Sequence, residues 1–227
     1  MVERILEQKK AIVSYASDHD LPALLTKNQW GLLEKLVALL QPFESVTKQI
    51  SSADASLADV IPVVTALQVT LERHDNDAGV QTMKSVLLQD IKKRFSGMLD
   101  EPLYVVATAV DPLYRMRLFS AEQQQQVLSM LIAEVQQQCE TRDVASPAAK
   151  RPRLDNSPHT GIDNVLDELL GVSADQPSSP AQAPPTGDVS EQVRLFMLQP
   201  NIPRQQLATS WWRDNAALSP DVAAVAQ

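Results

Sequence analysis

The sequence predicts an all-α protein, and three observations point there. Glycine fills only six of 227 positions and aromatic residues 4% of them, while Leu, Ala, Val, Gln and Glu dominate; that composition favours helices over strands and turns. Apolar residues recur three or four apart along most of the chain, the spacing that gathers them on one helical face. Hydrophobic content of 44% is enough for a sizeable core.

The helical pattern runs from the first residues, through Val2, Ile5, Leu6, Ile12 and Val13. No capping residue precedes it, so the reading frame is expected to be truncated at this end. Thr26-Lys-Asn-Gln29 matches a capping box and predicts a helix start, followed by Trp30, Leu33, Val37 and Leu40 on one face. Pro42 removes an amide and is expected to kink or restart that helix, which Phe43, Val46 and Ile50 continue. Leu57, Ile61, Val64, Leu67 and Leu71 predict the next helix, interrupted at Pro62. Val80, Met83, Leu87, Ile91 and Phe95 predict another, and its closing Lys92-Lys93-Arg94 complements the negative end of the helix dipole.

The apolar run 102–110 fits a buried strand or a buried helix; Pro102, favoured at a first helical position, selects helix. Asp111-Pro112 restarts the chain, and Ser120-Ala-Glu-Gln123 is a second capping box before a helix ending near Cys139. From about 141 to 189 the character changes: seven of the fifteen prolines fall there, with Ser-Pro pairs and almost no aromatic side chain. A disordered linker is predicted, because such a stretch buries too little apolar surface to offset its ordering entropy. Beyond it, 190–198 and 203–215 read as helical, and Ser219-Pro220 reads as a cap with a first-turn proline. The chain then stops inside that last helix.

The formal charge of -8 argues against a segment that grips nucleic acid mainly through its phosphates. Cys139, the single cysteine, permits neither an internal disulfide nor a thiolate metal cluster, which fits a reducing compartment. No apolar run reaches the roughly 18 to 20 residues that cross a bilayer, and the start lacks the apolar stretch of a signal peptide; no membrane partner is expected.

Several fragments, in order, resemble the C-terminal part of hAT transposases and, more closely, the domesticated zinc finger BED domain-containing proteins. They are the opening stretch 1–12, Trp30-Gly31-Leu32-Leu33-Glu34 with Leu40-Gln41-Pro42-Phe43-Glu44, and Ser56-Leu57-Ala58-Asp59-Val60-Ile61-Pro62. Further along come Ala107-Thr108-Ala109-Val110-Asp111-Pro112-Leu113-Tyr114-Arg115 and Trp211-Trp212-x-x-Asn215 with Pro220-x-Val222-x-x-Val225-Ala226. The resemblance implies a helical insertion-like domain at 1–140, the linker at 141–189, and the start of the dimerisation region at 190–227. It implies further that the catalytic aspartates and the BED finger, with its zinc, lie upstream, and the catalytic glutamate downstream. No catalytic, cofactor or metal residue carries over to this chain, and none is expected of it; DNA contact and homo-oligomerisation belong to the parent protein.

Each candidate residue has a plain structural alternative. Asp111 reads better as a helix-start cap than as a lone catalytic acid. His19, His74 and His159 are far apart and lack ligand spacing. Cys139 reads as a small buried hydrophobe, since no base accompanies it in a motif. Trp211, Trp212, Pro220, Val222 and Val225 suit either a dimer contact or plain core. Lys150, Arg151 and Arg153 in Pro-Ala-Ala-Lys-Arg-Pro-Arg-Leu-Asp are similar to a single-cluster nuclear import signal, implying an importin-type receptor and a nuclear location. Ile162, Val165, Leu166, Leu169 and Leu170, interleaved with Asp163, Asp167 and Glu168, form an apolar–acidic stripe suited to a partner's groove or to this chain's own surface. The functional expectation is the non-catalytic part of a nuclear, transposase-derived, DNA-associated transcriptional regulator. The other readings are a fragment of an active hAT transposase and a structural helical interaction module.

Overall fold

A computed structural model describes residues 2–19, 24–73, 78–142, 165, 168, 188–204 and 206–226, which are helical with no strand among them. In chain order the elements are α1 (Val2–Glu7), α2 (Lys9–Asp18), α3 (Lys27–Ile50), a 3-10 turn (Leu57–Asp59), α4 (Val60–Glu72), α5 (Gln81–Arg94), α6 (Pro102–Val110) and α7 (Ala121–Arg142). The linker expected at 141–189 lies mostly outside the described residues; beyond it come α8 (Val189–Leu198), α9 (Ala208–Asn215), a second 3-10 turn (Ala216–Leu218) and α10 (Pro220–Val225). The all-α expectation is met. Among the described residues no helix is long and apolar enough to cross a membrane.

Local chemistry sets several of the helix starts. Thr26 Oγ1 accepts from the Gln29 amide at 3.3 Å while Gln29 Oε1 accepts from the Thr26 amide at 2.8 Å, which closes the first capping box. Ser120 and Gln123 repeat the exchange at 2.9 and 3.4 Å ahead of α7. Pro102 stands at the first turn of α6. Two prolines act differently from their sequence reading. Pro62 sits in the first turn of α4, where its missing amide would find no intrahelical acceptor anyway, so it interrupts nothing. Pro42 lies inside α3, which runs unbroken through it from Lys27 to Ile50. Phe43 and Val46 just beyond it pack in the core with α4, and that burial outweighs one lost backbone bond.

Ala58 with Tyr114 makes a small third cluster, and two large ones form most of the core. One gathers Val46 of α3, Val63, Val64, Leu67 and Leu71 of α4, and Ile91 of α5. The larger joins Val105, Val106 and Ala109 of α6 and Val127, Leu131 and Val135 of α7 to Val193, Phe196, Trp211, Trp212 and Val222 from beyond the linker. Residues 189–226 therefore complete a core begun some 60 to 120 positions earlier. The N-terminal helices are peripheral: neither α1 nor α2 has a buried residue, and Lys9 ties α2 to α3 through Glu34 at 2.9 Å and over the Trp30 ring at 5.4 Å.

Candidate functional site

Three distant segments meet where α6 ends. Asp111 Oδ1 accepts from the Leu113 amide at 2.8 Å, and its carbonyl accepts from Tyr114 and Arg115 amides at 3.2 and 3.0 Å. The carboxylate thus caps the turn that follows, the simpler of its two sequence readings. Burial pushes the Asp111 carboxyl up to about 6, against the amide bond that favours its charged form. Tyr114, 2% exposed, donates its hydroxyl to Asp59 Oδ1 at 2.7 Å, and the other Asp59 oxygen accepts from the Ser56 amide at 2.9 Å. Burial, and next the Asp59 charge, hold the Tyr114 phenol well above its ordinary range. The Thr108 hydroxyl lies 2.8 Å from the Tyr104 carbonyl and 3.2 Å from that of Ala58.

Arg115 forms the opposite wall. Its backbone adopts φ 48°, a left-handed conformation that side chains with a Cβ disfavour. Its guanidinium lies 4.7 Å from the Phe196 ring centroid and 5.5 Å from that of Trp211, and donates to the Gln199 carbonyl. Among the described residues, Nε and Nη2 find no hydrogen-bond partner. Burial lowers its pKa to about 10, so the group remains charged at neutral pH, held by aromatic faces more than by hydrogen bonds. Asn201 donates to the Leu113 carbonyl at 2.6 Å, and the Ile202 amide to Pro112 at 3.2 Å. Trp212 Nε1 donates to the Val110 carbonyl at 3.1 Å, satisfying an acceptor at the open end of α6.

Trp211 and Trp212 are both buried, 4.8 Å apart edge to face, and Trp212 stacks on Phe196 at 4.9 Å. Val222 is fully buried, Val225 half-buried and Pro220 exposed. Ser219 does not cap α10 with its side chain; its hydroxyl donates to the Gln192 carbonyl at 3.3 Å. The Gln192 side chain takes over the capping role, accepting from the Asp221 amide at 3.2 Å and donating to its carboxylate at 2.7 Å.

A cleft of about 280 Å³ opens beside this junction, lined by Leu57, Val110, Asp111, Thr209, Trp212 and Val225 among others. Asp111 is a titratable acid in this cleft; Ser56 and Thr209 bring hydroxyls to its lining, but no His, Cys, Lys or second carboxylate stands with them. Among the described residues no group of three or more His, Cys, Asp or Glu is placed to hold a metal. Cys139 is half-buried against the larger core. His19 stacks on Tyr15 with ring centroids 4.0 Å apart; His74 and His159 lie outside the described residues. Lys150, Arg151, Arg153, Ile162, Leu166, Leu169 and Leu170 also lie outside them, whereas Val165 is buried in the smaller core.

Sequence reasoning missed the pairing of Asp59 with Tyr114 and the aromatic box around Arg115. Two signals were available: the Ser56…Asp59 box, and a Tyr-Arg pair directly after Asp-Pro. Neither says which distant residue it meets.

Over 137 residues, 60% of its length, the chain is 33% identical to human zinc finger BED domain-containing protein 4. Over 100 residues, 40% of its length, it is 28% identical to human zinc finger BED domain-containing protein 6. The matched stretches make up 12% and 10% of those two proteins, so the chain corresponds to about a tenth of each. The chain is similar to BED-type, hAT-derived proteins. No protein-family description matches it, and no solved structure does.

Proposed function

We propose that the chain is a non-catalytic helical part of a nuclear, transposase-derived, DNA-associated transcriptional regulator, and that its last helices contribute to dimerisation of the parent protein. The observation that carries this reading is the use made of the family-like motifs. Arg115, Trp211 and Trp212 are engaged in a buried junction that fixes residues 189–226 onto the end of α6, while Asp111 and Tyr114 hold the adjoining turn, Tyr114 through Asp59. A scaffold that presents its final helices in a set orientation is what an assembling regulator requires of such a part. Val225 of α10 is half-buried at the rim of the cleft. DNA contact, and zinc in a BED finger, belong in this reading to other parts of the parent protein. Lys150, Arg151 and Arg153 supply entry to the nucleus through an importin-type receptor, since the sequence there is basic and rich in proline.

The test is a reporter assay in which the chain is fused to a heterologous DNA-binding domain and its location is followed by fluorescence. The expected result is nuclear accumulation, lost on replacing Lys150, Arg151 and Arg153 by Ala, with a change in reporter transcription. Cytoplasmic fluorescence together with unchanged transcription would overturn the reading.

A further inference from the structure

The apolar–acidic stripe at 161–171 has two described residues, and both are engaged. Val165 is 3% exposed and belongs to the smaller core with Val63, Val64, Leu67, Leu71 and Ile91. Glu168, on the surface, accepts a hydrogen bond from the guanidinium of Arg73 at the end of α4. Both residues are helical, and an offset of three puts them on the same side of a helix. One side chain thus enters the core while the other fastens its edge.

We propose that the face built by α4 and α5 is a docking site for an acidic amphipathic helical turn, and that its occupant is this chain's own Val165–Glu168. Three considerations carry the assignment. A helix below about 12 residues is marginal in isolation, so the helical state at Val165 depends on the surface that receives it. The occupant's described charge, Glu168, complements Arg73, which stands just past the C-terminal end of α4. A valine buried to 3% fills space that would otherwise be an apolar hollow beside Leu67 and Leu71. Val165 thereby gives the chain between Arg142 and Asp188 one further point of attachment. Any partner helix of the same pattern must displace the turn before it binds.

The experiment titrates a fluorescein-labelled peptide of residues 159–173 against the full chain and against its Val165→Asp variant, reading anisotropy. A tethered segment acts at an effective concentration on the order of millimolar, so the wild-type chain excludes micromolar peptide. The variant is expected to admit it roughly tenfold or more tightly. Equal binding to both chains, or binding to neither, overturns the proposal. So does a doubled mass of the wild-type chain by light scattering that V165D abolishes, because the turn would then be exchanged between copies. If V165D loses helicity by circular dichroism, the same titration is run on E168R, which should admit the peptide, and on R73E/E168R, which should exclude it again. Identical behaviour of those two variants overturns the assignment equally.

Discussion

The hydroxyl of Tyr114 donates to Oδ1 of Asp59 at 2.7 Å, joining residues 55 positions apart across the end of α6. Asp59 also closes the capping box of the 3-10 turn that leads into α4. One carboxylate therefore orders a helix entrance and receives a distant phenol. Tyr114→Phe removes the donor and keeps the packing, so it should cost about 1 to 2 kcal/mol. A lower urea midpoint with an unchanged slope is the expected signature.

Asp111 gives the chain a pH dependence of unusual sign. Its folded carboxyl titrates at about 6, above the ordinary value of 3.8, so the folded state holds its proton more tightly than the unfolded chain does. This contribution is fully present below about pH 4 and is lost as pH rises through 6. The change amounts to no more than about 3 kcal/mol. Asp111→Asn retains an acceptor for the Leu113 amide and removes the charge; it should flatten the stability profile between pH 4 and 7. Urea midpoints of both chains across that range decide the matter.

Trp212 should matter more than Trp211. Both rings are buried, but only the Trp212 indole satisfies a backbone acceptor, the Val110 carbonyl. Trp212→Phe loses volume and leaves that carbonyl unpaired, for an expected loss of about 2 to 4 kcal/mol. Trp211→Phe is expected to cost about half as much, because an aromatic face is kept beside Arg115. Thermal unfolding followed by circular dichroism ranks the two.

Gln192 of α8 caps α10 through the Asp221 amide and carboxylate. Gln192→Ala should destabilise the chain by about 1 to 2 kcal/mol. The effect should be local as well, with faster amide exchange at Val222–Val225 and little change in α3. Uniform acceleration across the chain would contradict a capping role.

What the sequence disclosed and what it withheld divide along contact range. Thr26 with Gln29 and Ser120 with Gln123 are neighbours three apart, and their boxes form as read. Pro102, at a first turn, likewise selected helix for 102–110. Pro62 was misread because the true start of α4 at Val60 depends on the turn held by Ser56 and Asp59. Pro42 starts no new helix, because tertiary burial of Phe43 and Val46 overrides a local penalty. Trp211 and Trp212 were left between core and contact, since a sequence does not say which surface their helix meets; α6 and Phe196 supply that surface. Arg115 carried no local signal for its ring neighbours, because Phe196 and Trp211 lie 81 and 96 positions away.

The larger core is assembled from α6 and α7 on one side of the linker and α8 to α10 on the other. The chain between Arg142 and Asp188 thereby joins two ends that are held by the same core. The entropy of closing a loop grows only with the logarithm of its length, about 0.6 kcal/mol for each doubling. Added length in that connection is therefore expected to cost the fold little, except at Val165, whose side chain belongs to the smaller core.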